Sequence, residues 1–181
     1  DMKRTAEAGT GGGPRKGSVF LLWLFLLLLL ALPAALYPAE ATMRIGGTVP
    51  PVTISGIDGA PVRIPDSVKG KVAILHFWQI GCSSCKLDMP AMDTLYKQYR
   101  RKGLEILAVN VGQKKETVRT FAPELGVTYP LLIDPEEKSS RLLGVTDVPR
   151  SYVIDRNGVV RYRIFGGATP ETLKKLILSL L

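Results

Sequence analysis

The stretch Gly70 to Trp78 reads GKVAILHFW, a nearly continuous apolar run of β-forming type. A strand without polar alternation has no face to offer to water, so it must lie inside a sheet that is covered on both sides. The pattern then changes: from Ser83 to about Lys102 the sequence predicts a helix, with Leu87, Met92, Leu95 and Tyr99 marking its apolar face and Pro90 expected to kink it. LEILAVNV (104–111) reads as a second buried strand, Lys114 to Leu125 as a helix, YPLLID as a short strand and Glu136 to Leu143 as another helix. Ahead of these, VTISGIDGAPVRI is a hairpin around Asp58-Gly59. Behind them, SYVIDRNGVVRYRIF is a hairpin through Asn157-Gly158, followed by a helix from Pro170 to Leu181. Strands alternating with helices point to an α/β fold with helices on both faces of the sheet.

Upstream, Val19 to Leu36 (VFLLWLFLLLLLALPAAL) is uncharged and follows Arg15-Lys16. Its length is close to the roughly 20 residues that span a bilayer core, and the basic flank is expected to remain cytoplasmic. The reading is a flexible cytoplasmic tail (1–18), a transmembrane anchor (19–36), a linker (37–48) and a globular domain (49–181) outside the cytoplasm, periplasmic or on the outer face of the inner membrane. A signal peptide cleaved after Ala41, at the small-residue sequence AEA, gives the same compartment. The net charge of +8 is dispersed in short groups such as Arg100-Arg101-Lys102, Lys114-Lys115 and Lys174-Lys175, without a stripe interleaved with aromatics. That describes solvated helix faces, not a nucleic-acid surface.

Both cysteines of the chain, Cys82 and Cys85, lie at the junction of the buried strand and the helix. A disulfide closing so short a loop stabilises little, and a structural zinc site needs two further ligands. At a helix start, unpaired N–H groups and the helix dipole favour a thiolate on Cys82. Cys85, one turn later, is in reach to resolve a mixed disulfide, so a dithiol/disulfide cycle is the expected chemistry, with Cys82 attacking. An inert disulfide is the alternative.

GKVAILHFWQIGCSSCKLDMPAMDTLYKQYRRKGLEILAVNVG, with VPRSYVIDRNGVVRYRIFGG downstream, resembles the membrane-anchored TlpA/ResA proteins, which are thioredoxin-fold members of the redoxin (AhpC/TSA) superfamily. The resemblance covers about residues 46 to 181. It implies a thioredoxin-like fold, a central mixed β-sheet flanked by helices, with an N-terminal β-hairpin and a helix–strand insertion at 113–135. It also implies an extracytoplasmic thiol–disulfide oxidoreductase that reduces protein disulfides, apocytochrome c among them, is supplied by a membrane-embedded electron donor, and uses no cofactor beyond the Cys82–Cys85 disulfide and no metal. Pro149 matches the family's cis-proline, which presents Val148 to substrate. Asp88 matches an acidic position near the active site, where a carboxylate could relay a proton to Cys85. Trp78 matches an aromatic ahead of the motif, at once a core residue and a wall of the substrate site.

The chain departs from the family at four places. Gly81 stands where many relatives have Trp, the dipeptide between the cysteines is Ser83-Ser84, and Arg150 follows the cis-proline where small or hydroxyl residues are usual. A guanidinium there could contact substrate or lower the thiol pKa of Cys82. His76 stands near the position of a buried Asp in thioredoxins and reads as a core residue. Two other functions are weighed. A peroxiredoxin-type peroxidase would want Pro-x-x-x-Thr-x-x-Cys, but HFWQIG precedes Cys82. A copper-binding assembly module would need His76 beside the cysteine pair.

Overall fold

The run that reads as a doubly covered strand is one. In the computed structural model, which describes residues 42–181 and, ahead of them, Trp23 alone, β3 (Val72–Trp78) is buried along its whole length. It lies between β4 (Leu104–Val111), to which it is parallel, and β6 (Arg150–Ile154), to which it is antiparallel. The remaining strands are β1 (Val52–Gly56), β2 (Pro61–Ile64), β5 (Leu131–Asp134) and β7 (Val160–Phe165), giving a seven-stranded mixed sheet in the order β2-β1-β5-β4-β3-β6-β7. The helices are α1 (Ser83–Tyr99), α2 (Lys115–Leu125), α3 (Lys138–Leu142) and α4 (Pro170–Leu178). The tail, the apolar segment and the first part of the linker fall outside the described residues, save Trp23. Among the described residues no helix is long and apolar enough to cross a membrane.

Alternation along β3 divides the core. Val72, Ile74 and Trp78 face α1, α2 and α4, packing with Cys85, Met89, Met92, Val118, Leu173 and Ile177. Ala73, Leu75 and Phe77 face the other way, onto Met43, Val49, Val68, Leu143, Val145 and Tyr152. The second face is thus closed largely by irregular chain, and here the expected linker needs correcting. Met43 is buried and its N–H bonds the Leu143 carbonyl, Gly46 and Gly47 exchange bonds with Val160, and Thr48 bridges Val159. Residues 43–48 belong to the fold because the sheet would otherwise expose apolar area on this side.

The insertion holds α2 and β5, and β5 pairs with β4 on one side and the amino-terminal hairpin on the other. Helix α1 runs through Pro90 without a break and ends in a 3-10 turn at Arg100–Lys102. Helix α3 starts two residues later than the pattern predicts, because Glu137 is in the left-handed region (φ 57°) and Asp134 caps the helix. The Asp134 carboxylate accepts from Ser139 N (3.3 Å), Ser140 N (2.7 Å) and Ser140 Oγ (2.6 Å).

Candidate active site

Where β3 ends, the chain must turn sharply to begin α1. Gly81 makes that turn at φ 94°, in the left-handed region that glycine adopts without strain. Cys82 is the N-cap of α1, with extended backbone (φ −79°, ψ 103°), and its sulfur accepts the Cys85 N–H at 3.2 Å. The two cysteines are joined in a disulfide, their Cα atoms 5.3 Å apart. Their exposure differs: Cys82 is half-buried, whereas Cys85 is 1% exposed within the α1 face of the core. No acidic residue lies in the first turn, so after reduction the N–H groups and the dipole of a 17-residue helix act unopposed on the Cys82 thiolate.

The loop before Cys82 is held by groups that sequence reading missed. Gln113 Oε1 accepts from the Ile80 N–H (2.7 Å) and from Asn110 Nδ2 (2.8 Å), while Gln113 Nε2 donates to the Ile80 carbonyl (3.3 Å). Gln79 Nε2 donates to the Val111 carbonyl (3.0 Å). One carboxamide therefore satisfies both backbone groups of Ile80, as a neighbouring strand would, and leaves Gly81 and Cys82 projecting from a braced loop. The one available signal was Asn110, a polar side chain in the apolar run that follows Glu105 in β4.

The other residues expected at the site differ in how the fold holds them. The Val148–Pro149 peptide is cis; Pro149 is buried and Val148 is half-buried. Trp78 is 1% exposed, with its ring 6.4 Å from that of Phe121, and together with Ile80, Cys82, Lys86 and Phe121 it lines a cleft of about 180 Å³. Asp88 is half-buried one turn after Cys85. Burial raises its carboxyl above the usual carboxylate range, and a hydrogen bond from the Ala168 N–H partly opposes the rise.

Arg150 leaves β6 on the sheet face opposite α1, in register with Phe77 and Phe165. Its guanidinium bonds Asp147 and lies 3.8 Å from the centroid of Phe165, so its partners are these two side chains and its electrostatics are not directed at the cysteine pair. His76 is fully buried on the α1 face, and its Nδ1 shares a 2.8 Å hydrogen bond with Ser151 while Nε2 has no partner. Desolvation pushes its pKa down to about 4. Among the described residues no three His, Cys, Asp or Glu side chains are grouped to hold a metal ion.

A helix-capping, half-exposed cysteine disulfide-bonded to a buried one, in a chain that also carries a cis-proline ahead of β6, is an arrangement for thiol–disulfide exchange, and known proteins agree with it. Residues 45–163 match the AhpC/TSA family. The chain is 36% identical over 163 residues to the thiol-disulfide oxidoreductase ResA of Geobacillus thermodenitrificans, covering 90% of this chain and 93% of that protein. It is 30% identical to ResA of Bacillus subtilis, covering 83% and 85%. Among solved structures, a putative thiol:disulfide interchange protein DsbE from Chlorobium tepidum superposes with a TM-score of 0.71 at 30% identity, over 77% of this chain and 99% of that one. The chain belongs to the AhpC/TSA family, within which it is a thioredoxin-fold thiol–disulfide oxidoreductase related to ResA.

Proposed function

We propose that this chain is a reductase of protein disulfides that works outside the cytoplasm, tethered by residues 19–36. Cys82 attacks one sulfur of the substrate disulfide as thiolate; that S–S bond breaks and the other substrate sulfur leaves and takes up a proton. Asp88 accepts the proton of Cys85, whose thiolate attacks Cys82 Sγ and breaks the mixed disulfide, and the second substrate sulfur leaves and takes up the proton that Asp88 gives back. Two electrons and two protons pass to the substrate, leaving the Cys82–Cys85 disulfide, which a membrane-embedded dithiol donor then reduces. Val148 and Pro149 hold the substrate backbone, with Arg150 behind them, and the cleft beside Trp78 takes a substrate side chain. Apocytochrome c, whose haem-binding cysteines must be free thiols before attachment, is the substrate class that the relationship to ResA suggests.

The observation that carries the assignment of roles is the asymmetry of the pair: the half-exposed sulfur sits on the helix N-cap and the buried one lies a turn away from a carboxylate. In a trapping experiment, Cys85→Ser accumulates mixed disulfides with substrate and Cys82→Ser does not; adducts on the second variant instead would reverse the roles. The direction of electron flow is read from the midpoint potential of the pair. A value near about −270 mV fits a reductase, and one near about −120 mV would make the chain an oxidant.

A further inference from the structure

The β7–α4 connection, Gly166-Gly167-Ala168, touches both halves of the site. The Gly166 N–H donates to the Pro149 carbonyl at 3.0 Å, and the Asp88 carboxylate lies near enough to the Ala168 N–H to feel it. Between them lies Gly167. A methyl group on its Cα would stand 3.0 and 3.1 Å from the two carboxylate oxygens of Asp88, tighter than nine in ten such contacts, so the carboxylate would have to shift by a few tenths of an ångström. Gly166 has φ 73° and so favours glycine on backbone grounds, but Gly167 is not among the positive-φ glycines. The backbone of Gly167 does not call for glycine; what an added methyl would press on is the Asp88 carboxylate.

We propose that this turn is a positioning element for Asp88: bare Gly167 admits the carboxylate against the backbone, the Ala168 N–H fixes its place and proton affinity, and Gly166 ties the same turn to the cis-proline strand. The proposal rests on Asp88 acting as the proton acceptor of Cys85. Few other groups compete for that control. The titratable group facing Asp88 from outside its helix is the Tyr129 phenol, whose O–H is committed to the Met89 carbonyl at 3.2 Å. On its own helix Cys85 lies one turn earlier, and no charged side chain of α4 or β7 acts on it.

The test uses the full-length chain in mild detergent. NMR follows the Asp88 carboxyl carbon and the Ala168 amide across pH, and stopped-flow follows the acid limb of mixed-disulfide resolution with a small aromatic disulfide as probe. In the unaltered chain the Ala168 amide is expected to titrate with the Asp88 midpoint, a readout that needs no variant to fold. Gly167→Ala displaces the carboxylate from its donor and should raise that midpoint by about one pH unit, the size of a lost hydrogen bond to the charged form. The acid limb should rise with it, and in an Asp88→Asn background Gly167→Ala should leave the pH profile where Asp88→Asn alone puts it. An Ala168 amide indifferent to Asp88, or an unmoved midpoint in folded Gly167→Ala, would overturn the proposal. A midpoint that moves while the acid limb stays put upholds the positioning and removes Asp88 from the proton transfer.

Discussion

Neighbouring rungs of the β3–β6 ladder bury two basic side chains on opposite faces of the sheet, and they solve the problem of burial differently. His76, paired across the ladder with Ser151, faces the helices, is fully enclosed and has a hydroxyl but no carboxylate beside it. Arg150, opposite Phe77, faces the irregularly covered side, with Asp147 on its guanidinium and the Phe165 ring beneath it. Imidazole can give up its proton at little cost, so burial alone makes His76 neutral. Guanidinium stays charged in proteins, so Arg150 has to bring a counter-charge and an aromatic face with it. Burial therefore selects a protonation state where chemistry allows one and partners where it does not.

The largest expected consequence is acid sensitivity centred on His76. The unfolded chain binds a proton there near pH 6.5 and the folded chain only near 4. The folded-state pKa is depressed, so the stability tied to neutral His76 is present above about pH 6.5, is lost progressively as pH falls to about 4, and does not change further below that. Urea titrations across this window should show a loss of about 3 kcal/mol. His76→Gln should remove most of that slope; a slope unchanged by the substitution would mean that burial leaves the proton affinity of His76 as it is in the unfolded chain, and the contrast with Arg150 would collapse.

A smaller effect is expected on the other face. Asp147→Ala leaves the Arg150 charge with Phe165 alone. Because the Asp147 side chain is 62% exposed, the cost should be about 1–2 kcal/mol, well below the loss for a fully buried pair. Chemical denaturation in low salt measures it, and a neutral result would show that the aromatic face suffices. Smallest of the three is Phe165→Leu, which keeps apolar cover over Arg150 but removes the ring quadrupole; about 1 kcal/mol is expected, additive with Asp147→Ala only if the two partners act independently. A double-mutant cycle decides.

What could be read beforehand divides by distance along the chain. The strand–CxxC–helix junction was legible because everything that makes it occurs within a few turns: the apolar run to Trp78, the thiols and the start of α1. Residues 43–48 were missed as part of the fold because nothing local distinguishes a segment that covers a sheet from one that crosses solvent. Gln113 was missed because its carboxamide is an ordinary surface signal until the fold brings it to Ile80, 33 residues earlier. Arg150 was recognised as unusual, but its direction was not legible, since which face of β6 it takes depends on register with β3 and β7.

The sequence alone thus determined the secondary elements, the α/β class and the reactive pair at a helix start, since hydrophobic periodicity and N-cap electrostatics act over a few residues. Tertiary structure decided the environment of that pair: which sulfur is exposed, which turn holds Asp88 and where Arg150 points. Those properties come from desolvation and from hydrogen bonds between segments tens of residues apart, which exist only once the sheet has set its strand order and register.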